Sequence, residues 1–279
     1  MIQKDSFVEI GASHDMCEDY AITGDIYGYS YGIVCDGCSS AQNTDLGAKI
    51  LGIAAEQALR SSIVMFGHKT LSTALCSFEN KVLGALSKVA IALCLDIQTF
   101  YATLMVVIAN NEGFGIAVWG DGVVVFNDGF DRANDPNPWI RIEEISYTSN
   151  MPYYLAYRME DEKIKDYMNT MDILGNPEKT VLSYNPDEDF KSSTIPMFEP
   201  YIMSSAPMAE GMSISLFTDG ISSFENTSVL DNAIRMTVYK TFKGEFVKRR
   251  MKKIRIMDSK INNKHFDDIA CATLLKDKP

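Results

Sequence analysis

The distribution of apolar residues over the first third of the chain predicts strands followed by two helices. Short runs rich in β-branched and aromatic residues predict strands near 6–10, 19–23 and 29–35. A segment that begins at Asn43 or Thr44 then carries apolar residues at helical spacing, and a second such segment runs from 71 to 93. Both stripes have the spacing of a helix face that packs against a core.

Strand-like patterning returns between 99 and 126. Three β-rich runs are separated there by Asn-Asn-Glu-Gly and Gly-Asp-Gly, which predicts an antiparallel meander. From 128 to 211 the pattern weakens and becomes turn-rich, which indicates a variable insertion or flap. A strand over MSISLFTDG, helices near 229–240 and 245–257 and a final strand over DIACATLL follow. The pattern predicts one α+β domain over residues 1–279, with the flap inside it.

The composition is that of a soluble globular protein with an acidic surface. Hydrophobic residues make up 46% of the 279 residues, and the formal net charge is −11. This charge argues against nucleic acid or an anionic membrane as a partner. The sequence has no apolar run of membrane-spanning length and no signal-peptide core near its N-terminus. Six cysteines, mostly in apolar stretches, are typical of reduced thiols, so we expect a cytoplasmic protein. The pattern gives no indication of the oligomeric state.

Cys35 and Cys38 form a C-x-x-C pair, which raises the possibility of zinc or redox chemistry. A structural zinc site needs four ligands, and the sequence has neither a second pair nor histidines at ligand spacing. A redox pair usually lies directly at a helix N-terminus, whereas the helical pattern begins several residues after Cys38. We therefore expect both cysteines to pack as small apolar residues.

A basic run, KRRMKK at 248–253, stands out in this acidic chain. Apolar residues interleave with it at helical spacing. This favours a helix with one buried and one solvated face. A dedicated binding patch is the less favoured alternative.

Acidic residues end or begin apolar runs at five places along the chain. They are Glu18 with Asp19, Asp36, Asp121, Asp219, and Asp267 with Asp268. Three of them are followed by glycine, which lets the backbone turn sharply and expose a carbonyl oxygen. If these strand ends converge, their carboxylates repel one another unless cations bind. Oxygen ligands alone favour hard ions such as Mg²⁺, Mn²⁺ or Ca²⁺.

Five short motifs that contain these acids occur in a fixed order. They are Cys17-Glu18-Asp19, Val34-Cys35-Asp36-Gly37 with Gly47-Ala48 downstream, the run from Ala117 to Gly122, Thr218-Asp219-Gly220, and Asp267-Asp268-Ile269-Ala270. The ordered set resembles the metal-dependent protein phosphatases of type 2C, a serine/threonine phosphatase family with many bacterial members. The resemblance extends over residues 11 to 275, and the segment 128–211 falls where this family carries a variable flap.

The resemblance implies a four-layer αββα sandwich, in which helices flank two antiparallel sheets and a metal centre lies at one end. Asp36 would bridge two Mn²⁺ or Mg²⁺ ions. Asp219 and Asp267 would complete the coordination of one ion, and the Gly37 carbonyl and Glu18 would coordinate the other. The implied reaction is hydrolysis of phosphomonoesters on phosphorylated proteins.

The resemblance also implies roles for further acids of the set. Asp19 would hold the attacking water, and Asp121 together with Asp219 would offer a third, weaker ion site. The closing motif gives the ligand role to Asp267, so we expect the adjacent Asp268 to matter less.

The chain departs from the family pattern where phosphate binds. His14 stands where many members have an arginine, and Ser39 and Ser40 replace glycines. His14 is therefore a candidate to bind phosphate or to protonate the leaving oxygen, and a purely structural histidine is the alternative. Two other functions stay open: a metal-binding pseudophosphatase that senses a phosphoprotein, and a hydrolase of small phosphoesters or nucleotides.

Overall fold

Two antiparallel sheets form the centre of the fold. The computed structural model describes residues 1–66, 75–128, 139–175, 178–185 and 188–277. Over these ranges the strands are β1 (Ile2–Glu9), β2 (Tyr20–Ile26), β3 (Tyr29–Cys35), β4 (Leu104–Ala109), β5 (Phe114–Trp119), β6 (Gly122–Asn127), β7 (Ile140–Tyr147), β8 (Lys179–Asn185), β9 (Glu188–Ile195), β10 (Tyr201–Ser205), β11 (Ser213–Phe217) and β12 (Ile269–Lys276). The α-helices are α1 (Thr44–Phe66), α2 (Leu75–Leu93), α3 (Asp161–Ile173), α4 (Val229–Thr237) and α5 (Phe246–Ile261).

The strands divide into a seven-stranded and a five-stranded sheet. The first has the order β1-β12-β11-β6-β7-β8-β9 and the second the order β10-β5-β4-β3-β2. The described strand pairs are antiparallel, as expected when one face of each sheet packs on the other sheet. Among the described helices, none has the length and apolar character needed to cross a membrane.

The side chains of each strand point alternately to the two faces of its sheet, and their contacts show which layer covers each face. In β4, Leu104, Val106 and Ile108 pack against α1 and α2, whereas Met105, Val107 and Ala109 pack against the other sheet. In β12, Ala270, Ala272 and Leu274 face the five-stranded sheet, whereas Ile269, Cys271 and Leu275 face α4 and α5. Because every strand residue points opposite to its neighbour, both sheets bury both faces. This confirms the four-layer αββα sandwich.

The predicted meander over 99–126 is wrong at its second turn. β4 and β5 form a hairpin, but β5 belongs to the five-stranded sheet and β6 to the seven-stranded sheet. Gly120 and Gly122 have φ of +93° and +131°, which lets the chain turn between the sheets at Asp121. The Gly-Asp-Gly sequence therefore makes a crossover and places Asp121 between the layers.

The segment 128–211 contributes strands to both sheets. β7, β8 and β9 extend the seven-stranded sheet, and β10 forms an edge of the five-stranded sheet. Between β7 and β8, a short helical turn and α3 carry a cluster of tyrosines around Tyr153 and Tyr167. An ion pair of 2.7 Å from Arg158 to the buried Glu79 fastens this part to α2. Residues 129–138 of the segment lie outside the described residues.

The basic run at 248–253 lies in α5. Phe246, Val247, Met251 and Ile254 are buried against the seven-stranded sheet, while Lys252 and Lys253 are exposed. The interpretation as an amphipathic helix is confirmed.

A carboxylate from β1 caps the first turn of α5. Asp5 Oδ2 accepts hydrogen bonds from Val247 N at 2.6 Å and Lys248 N at 3.3 Å. We expect Asp5→Ala to lower the free energy of unfolding by about 1 kcal/mol, as loss of a helix N-cap does. Thermal melts should show a lower midpoint, and Asp172→Ala, which removes an exposed carboxylate from α3, is the control. Equal midpoints for the two variants would argue against the cap.

Candidate functional site

Five aspartates from both sheets lie at one end of the sandwich. Tyr20 pairs with Cys35, so Asp19 before β2 and Asp36 after β3 are neighbours at the end of the five-stranded sheet. Phe217 pairs with both Val123 and Cys271, which places Asp121, Asp219 and Asp267 at one end of the seven-stranded sheet. The strand registers therefore bring together residues that are up to about 250 positions apart in the chain.

Burial and mutual repulsion perturb this cluster. Burial raises the pKa of Asp36 well above its usual range, and the charges of Asp19, Asp219 and Asp121 raise it further. Burial likewise raises the pKa of Asp121 to about 7, with Asp219 as the main charged contributor. These shifts require the two sheet ends to face each other, since carboxylates that are far apart do not interact in this way.

Hydrogen bonds already organise part of the cluster. The buried Thr218 donates its hydroxyl to Asp19 Oδ2 at 2.8 Å and accepts from Ala270 N at 2.9 Å. Asp36 and Asp219 are hydrogen-bonded to each other, with Asp36 the member whose pKa this contact raises. The same contact acts to lower the pKa of Asp219.

The donor types of the cluster fit a hard cation. Buried oxygen donors that repel one another are stabilised by a divalent ion, and oxygen-only sites favour Mg²⁺ or Mn²⁺. Among the described residues, no three His, Cys, Asp or Glu side chains are already arranged to hold a metal ion.

Gly220 allows the turn after β11 to lie close to the segment before β12. A Cβ atom on Gly220 would lie 1.8 Å from the backbone oxygen of Asp268. Any side chain at this position would therefore separate the turn that carries Asp219 from the segment that carries Asp267.

Glu18 and Gly37 lie beside the cluster. Glu18 Oε1 accepts a hydrogen bond of 2.9 Å from the Thr44 hydroxyl, at the start of α1. The Gly37 amide donates to the Glu18 carbonyl at 3.2 Å. The structure therefore joins these two predicted ligands to each other and fixes the Glu18 side chain through α1.

Asp268 anchors the segment from Gly11 to Glu18. Its side chain is almost completely buried, and it accepts hydrogen bonds from Gly11 N at 2.7 Å and Glu18 N at 2.6 Å. The neighbouring Asp267 side chain is 46% exposed. The sequence assigned Asp268 the smaller role, but the structure makes it the hydrogen-bond acceptor that holds the N-terminal segment on the site.

His14 lies between these two acids. Its Nδ1 is 3.1 Å from Asp268 Oδ2 and its Nε2 is 3.5 Å from Asp267 Oδ1. The 3.1 Å approach lacks hydrogen-bond geometry, since Nδ1 is buried and makes no hydrogen bond. Burial acts to lower the pKa of His14, but the charges of Asp268, Asp267 and Glu18 raise it overall. His14 is therefore a basic side chain whose protonated form the acidic cluster favours.

Besides His14, a second basic residue, Lys179, lies at this end of the fold, as the first residue of β8. Its side chain is 1% exposed, and its ammonium group donates to the Glu199 carbonyl at 2.9 Å and lies 5.4 Å from the Tyr147 ring centre. Burial lowers the pKa of Lys179 to about 8, and the charge of Asp121 acts in the opposite direction. Lysine is rarely buried without a charged neighbour, and here that neighbour is Asp121.

The two thiols of the C-x-x-C pair have different surroundings. Cys35 is fully buried in the core beneath α1, whereas Cys38 is partly buried with its sulfur 3.1 Å from the Ser40 hydroxyl. Burial raises the pKa of Tyr154, at the edge of the tyrosine cluster, and the nearby Cys38, Asp121 and Asp36 raise it further. Cys38 therefore borders the acidic cluster, and Cys35 packs as the apolar residue that we expected.

The comparison with protein families decides the assignment. The family described as Protein phosphatase 2C matches residues 11–254. The chain belongs to the protein phosphatase 2C family. Members of this family are metal-dependent hydrolases that act on phosphorylated proteins. No curated protein matches the sequence.

Solved structures of protein phosphatase 2C enzymes share the fold. The serine/threonine phosphatase of S. agalactiae has a TM-score of 0.56 at 14% identity, covering 99% of this chain and 100% of that chain. Stp1, a serine/threonine phosphatase from Staphylococcus aureus, has a TM-score of 0.56 at 13% identity, with 100% and 96% coverage. PppA, a regulatory component of the type VI secretion system (T6SS) in Pseudomonas aeruginosa, gives 0.54 at 13% identity, with 98% and 97% coverage. At these identities the similarity establishes the fold alone.

Four polar contacts in and around the acidic cluster were not predicted from the sequence. They involve Thr44, Thr218, Lys179 and Asp268. Thr218 could have been suspected because it directly precedes Asp219. Lys179 has no such signal, since it lies in a turn-rich stretch without periodicity.

Proposed function

We propose that this chain hydrolyses phosphoserine and phosphothreonine in proteins with two Mn²⁺ or Mg²⁺ ions held among Asp36, Asp219 and Asp267. The observation that supports this most strongly is the convergence of five aspartates, in which burial and the charges of neighbouring aspartates raise the pKa values of Asp19, Asp36, Asp121 and Asp219. Such a cluster carries its full negative charge near neutral pH only when cations compensate it.

The proposed ligand roles are those that the resemblance to the protein phosphatase 2C family implies. Asp36, from the five-stranded sheet, would coordinate both ions. Asp219 and Asp267 would complete the coordination of one of them. Glu18 and the Gly37 carbonyl would coordinate the other ion. When bound, the ions would lower the pKa of a water and neutralise charge on the phosphoryl oxygens.

Residues around these ligands would orient the reactants. Asp19, fixed by the Thr218 hydroxyl, would accept a hydrogen bond from the attacking water. His14 would stand on the phosphate side with its positive charge stabilised by Asp267 and Asp268. Asp121 with Asp219 would form the third, weaker ion site, and the Lys179 ammonium supplies a fixed positive charge near Asp121.

We expect His14→Ala to raise KM for a phosphopeptide roughly tenfold, as loss of one charge-assisted contact does. His14→Arg should restore KM, because a guanidinium can bind phosphate while it stays paired with Asp267 and Asp268. A loss confined to kcat in both variants would instead indicate proton transfer by His14, since a proton is transferred only in the transition state. Steady-state kinetics separate these outcomes, and wild-type kinetics in both variants would make His14 structural.

The function itself is tested by turnover of three substrates: a phosphothreonine peptide, p-nitrophenyl phosphate and a nucleoside monophosphate. Each is assayed with manganese, with zinc and with EDTA. We expect the peptide to have the highest kcat/KM with manganese, poor replacement by zinc, and no turnover in EDTA. Preference for the nucleotide would indicate a small-molecule hydrolase. Peptide binding without turnover of any substrate would indicate a pseudophosphatase, and full activity after exhaustive metal removal would contradict the two-metal proposal.

A further inference from the structure

A preformed cavity lies beside α5, outside the acidic cluster. It has a volume of about 490 Å³ and is bounded by the C-terminal half of α5, the end of β1 and residues 262–265. Phe224, Met251, Ile254 and Ile269 supply a nearly fully buried apolar floor. Cavities of about 300–1,000 Å³ with an apolar lining are typical of ligand sites. We call this cavity the α5 pocket.

Polar groups in and beside the wall of the α5 pocket are paired with one another. Arg235 makes a bidentate contact with the buried Asp258 at 2.5 and 2.8 Å, and its guanidinium lies 4.8 Å from the Phe224 ring centre. The Asn263 amide closes the end of α5 by donating to the Asp258 carbonyl at 3.0 Å. These charged and polar groups are paired with one another, so the floor attracts an occupant through its apolar surface.

Positive charge lies along one side of the pocket. Seven of the sixteen residues of α5 are lysine or arginine, in a chain of net charge −11. Lys248, Lys252 and Arg255 are spaced i, i+4 and i+7, which places them on one strip of the helix next to the pocket. Arg255 lines the pocket and is 76% exposed, and its 3.2 Å contact with Glu9 is a surface ion pair of small energetic value. Lys248 makes a similar exposed contact of 2.7 Å with Glu245. Because exposed ion pairs of this kind exchange partners at little cost, this strip, which we call the cationic strip, can accept carboxylates from outside.

Exposed apolar side chains extend the surface beyond the pocket. Ile10 lines it and is 43% exposed, while Ile261 and Phe266, adjacent to lining residues in the chain, are 63% and 45% exposed. Apolar surface that continues past a pocket and is bordered by charge is typical of a protein contact. The combination favours a peptide over a small metabolite.

We propose that the α5 pocket and the cationic strip dock an acidic segment of a partner protein. A bulky apolar side chain of that segment enters the pocket, and its Asp or Glu side chains pair with Lys248, Lys252 and Arg255. This assignment is independent of the phosphatase chemistry proposed above. Because Gly11 and Ala12 also line the pocket, a docked partner lies next to the segment that carries His14.

A peptide-display library of random sequences, panned on the wild-type protein, tests the proposal without assuming a sequence. We expect recovered peptides to combine Asp or Glu with Phe, Trp or Leu. Their affinity, measured by fluorescence anisotropy, should fall roughly tenfold in a Lys252→Glu/Arg255→Glu double variant, as loss of charge complementarity predicts. It should fall similarly in Ser259→Trp, in which an indole introduced at an exposed lining position fills the pocket.

Lys88→Glu, on the exposed side of α2 in the opposite helical layer, is the matched control and should bind the peptides as the wild type does. Thermal melts show that each variant is folded. The proposal is overturned if recovered peptides lack acidic or apolar enrichment, if no peptide is recovered, or if Lys88→Glu weakens binding equally. Binding to vesicles of anionic lipid through the cationic strip, in place of peptides, would likewise overturn it.

Discussion

Asp36→Asn is expected to abolish turnover, with a loss of at least roughly a thousandfold in kcat. Asp36 comes from the five-stranded sheet and interacts with Asp219 from the other sheet, a contact that raises the pKa of Asp36. In the proposed function it is the residue that contacts both ions. Removal of its charge therefore weakens both ion sites at once, whereas loss of Asp219 or Asp267 leaves one of them.

The same substitution should not harm the metal-free fold. Asparagine has nearly the same size as aspartate and carries no charge, so the substitution fits the same space and cannot add to the repulsion within the crowded cluster. We expect an equal or slightly higher melting temperature in EDTA, and a smaller rise on addition of manganese than in the wild type. Cys38→Ser, two residues away, should keep most activity and manganese binding. If Asp36→Asn retained calorimetrically measured manganese binding and turnover, the assignment of the site would be wrong.

Asp268→Asn is expected to reduce both stability and activity. Asp268 uses one carboxylate oxygen to accept from Gly11 N and the other to accept from Glu18 N. An asparagine side chain has a single oxygen, so one of these buried amides would face an NH₂ group. An unsatisfied buried donor costs about 1–3 kcal/mol, which corresponds to a fall of several degrees in the melting temperature.

Asp267→Asn is the matched control for this effect. Its side chain is 46% exposed, so we expect loss of turnover with little change in the melting temperature in EDTA. Asp268→Asn should instead lower that temperature and weaken manganese binding through Glu18. Thermal melts with and without manganese, together with phosphatase rates, distinguish the two variants. Equal stability of Asp268→Asn and the wild type would contradict the anchoring role.

Much of the fold could be predicted because local sequence patterns indicate where its helices and strands lie. The helical periodicity over α2 and the apolar run of β3 both correspond to observed elements. β8, β9 and β10 were not predicted, since their residues are polar or half-exposed and take their strand conformation from pairing with neighbouring strands. The crossover at Asp121 was also missed, because a hairpin turn and a turn between sheets can share the sequence Gly-Asp-Gly.

The candidate site was likewise only partly predictable from the sequence. The sequence by itself determined that acids end strands in a fixed order, because an apolar run that stops at Asp-Gly marks a strand end. Only the tertiary structure decided which charged groups meet: Asp36 with Asp219, the Lys179 ammonium with Asp121, and the buried Asp268 beside the half-exposed Asp267. The physical reason is that burial and electrostatic interaction depend on distances between strands far apart in the chain, which sheet register sets and local sequence does not encode.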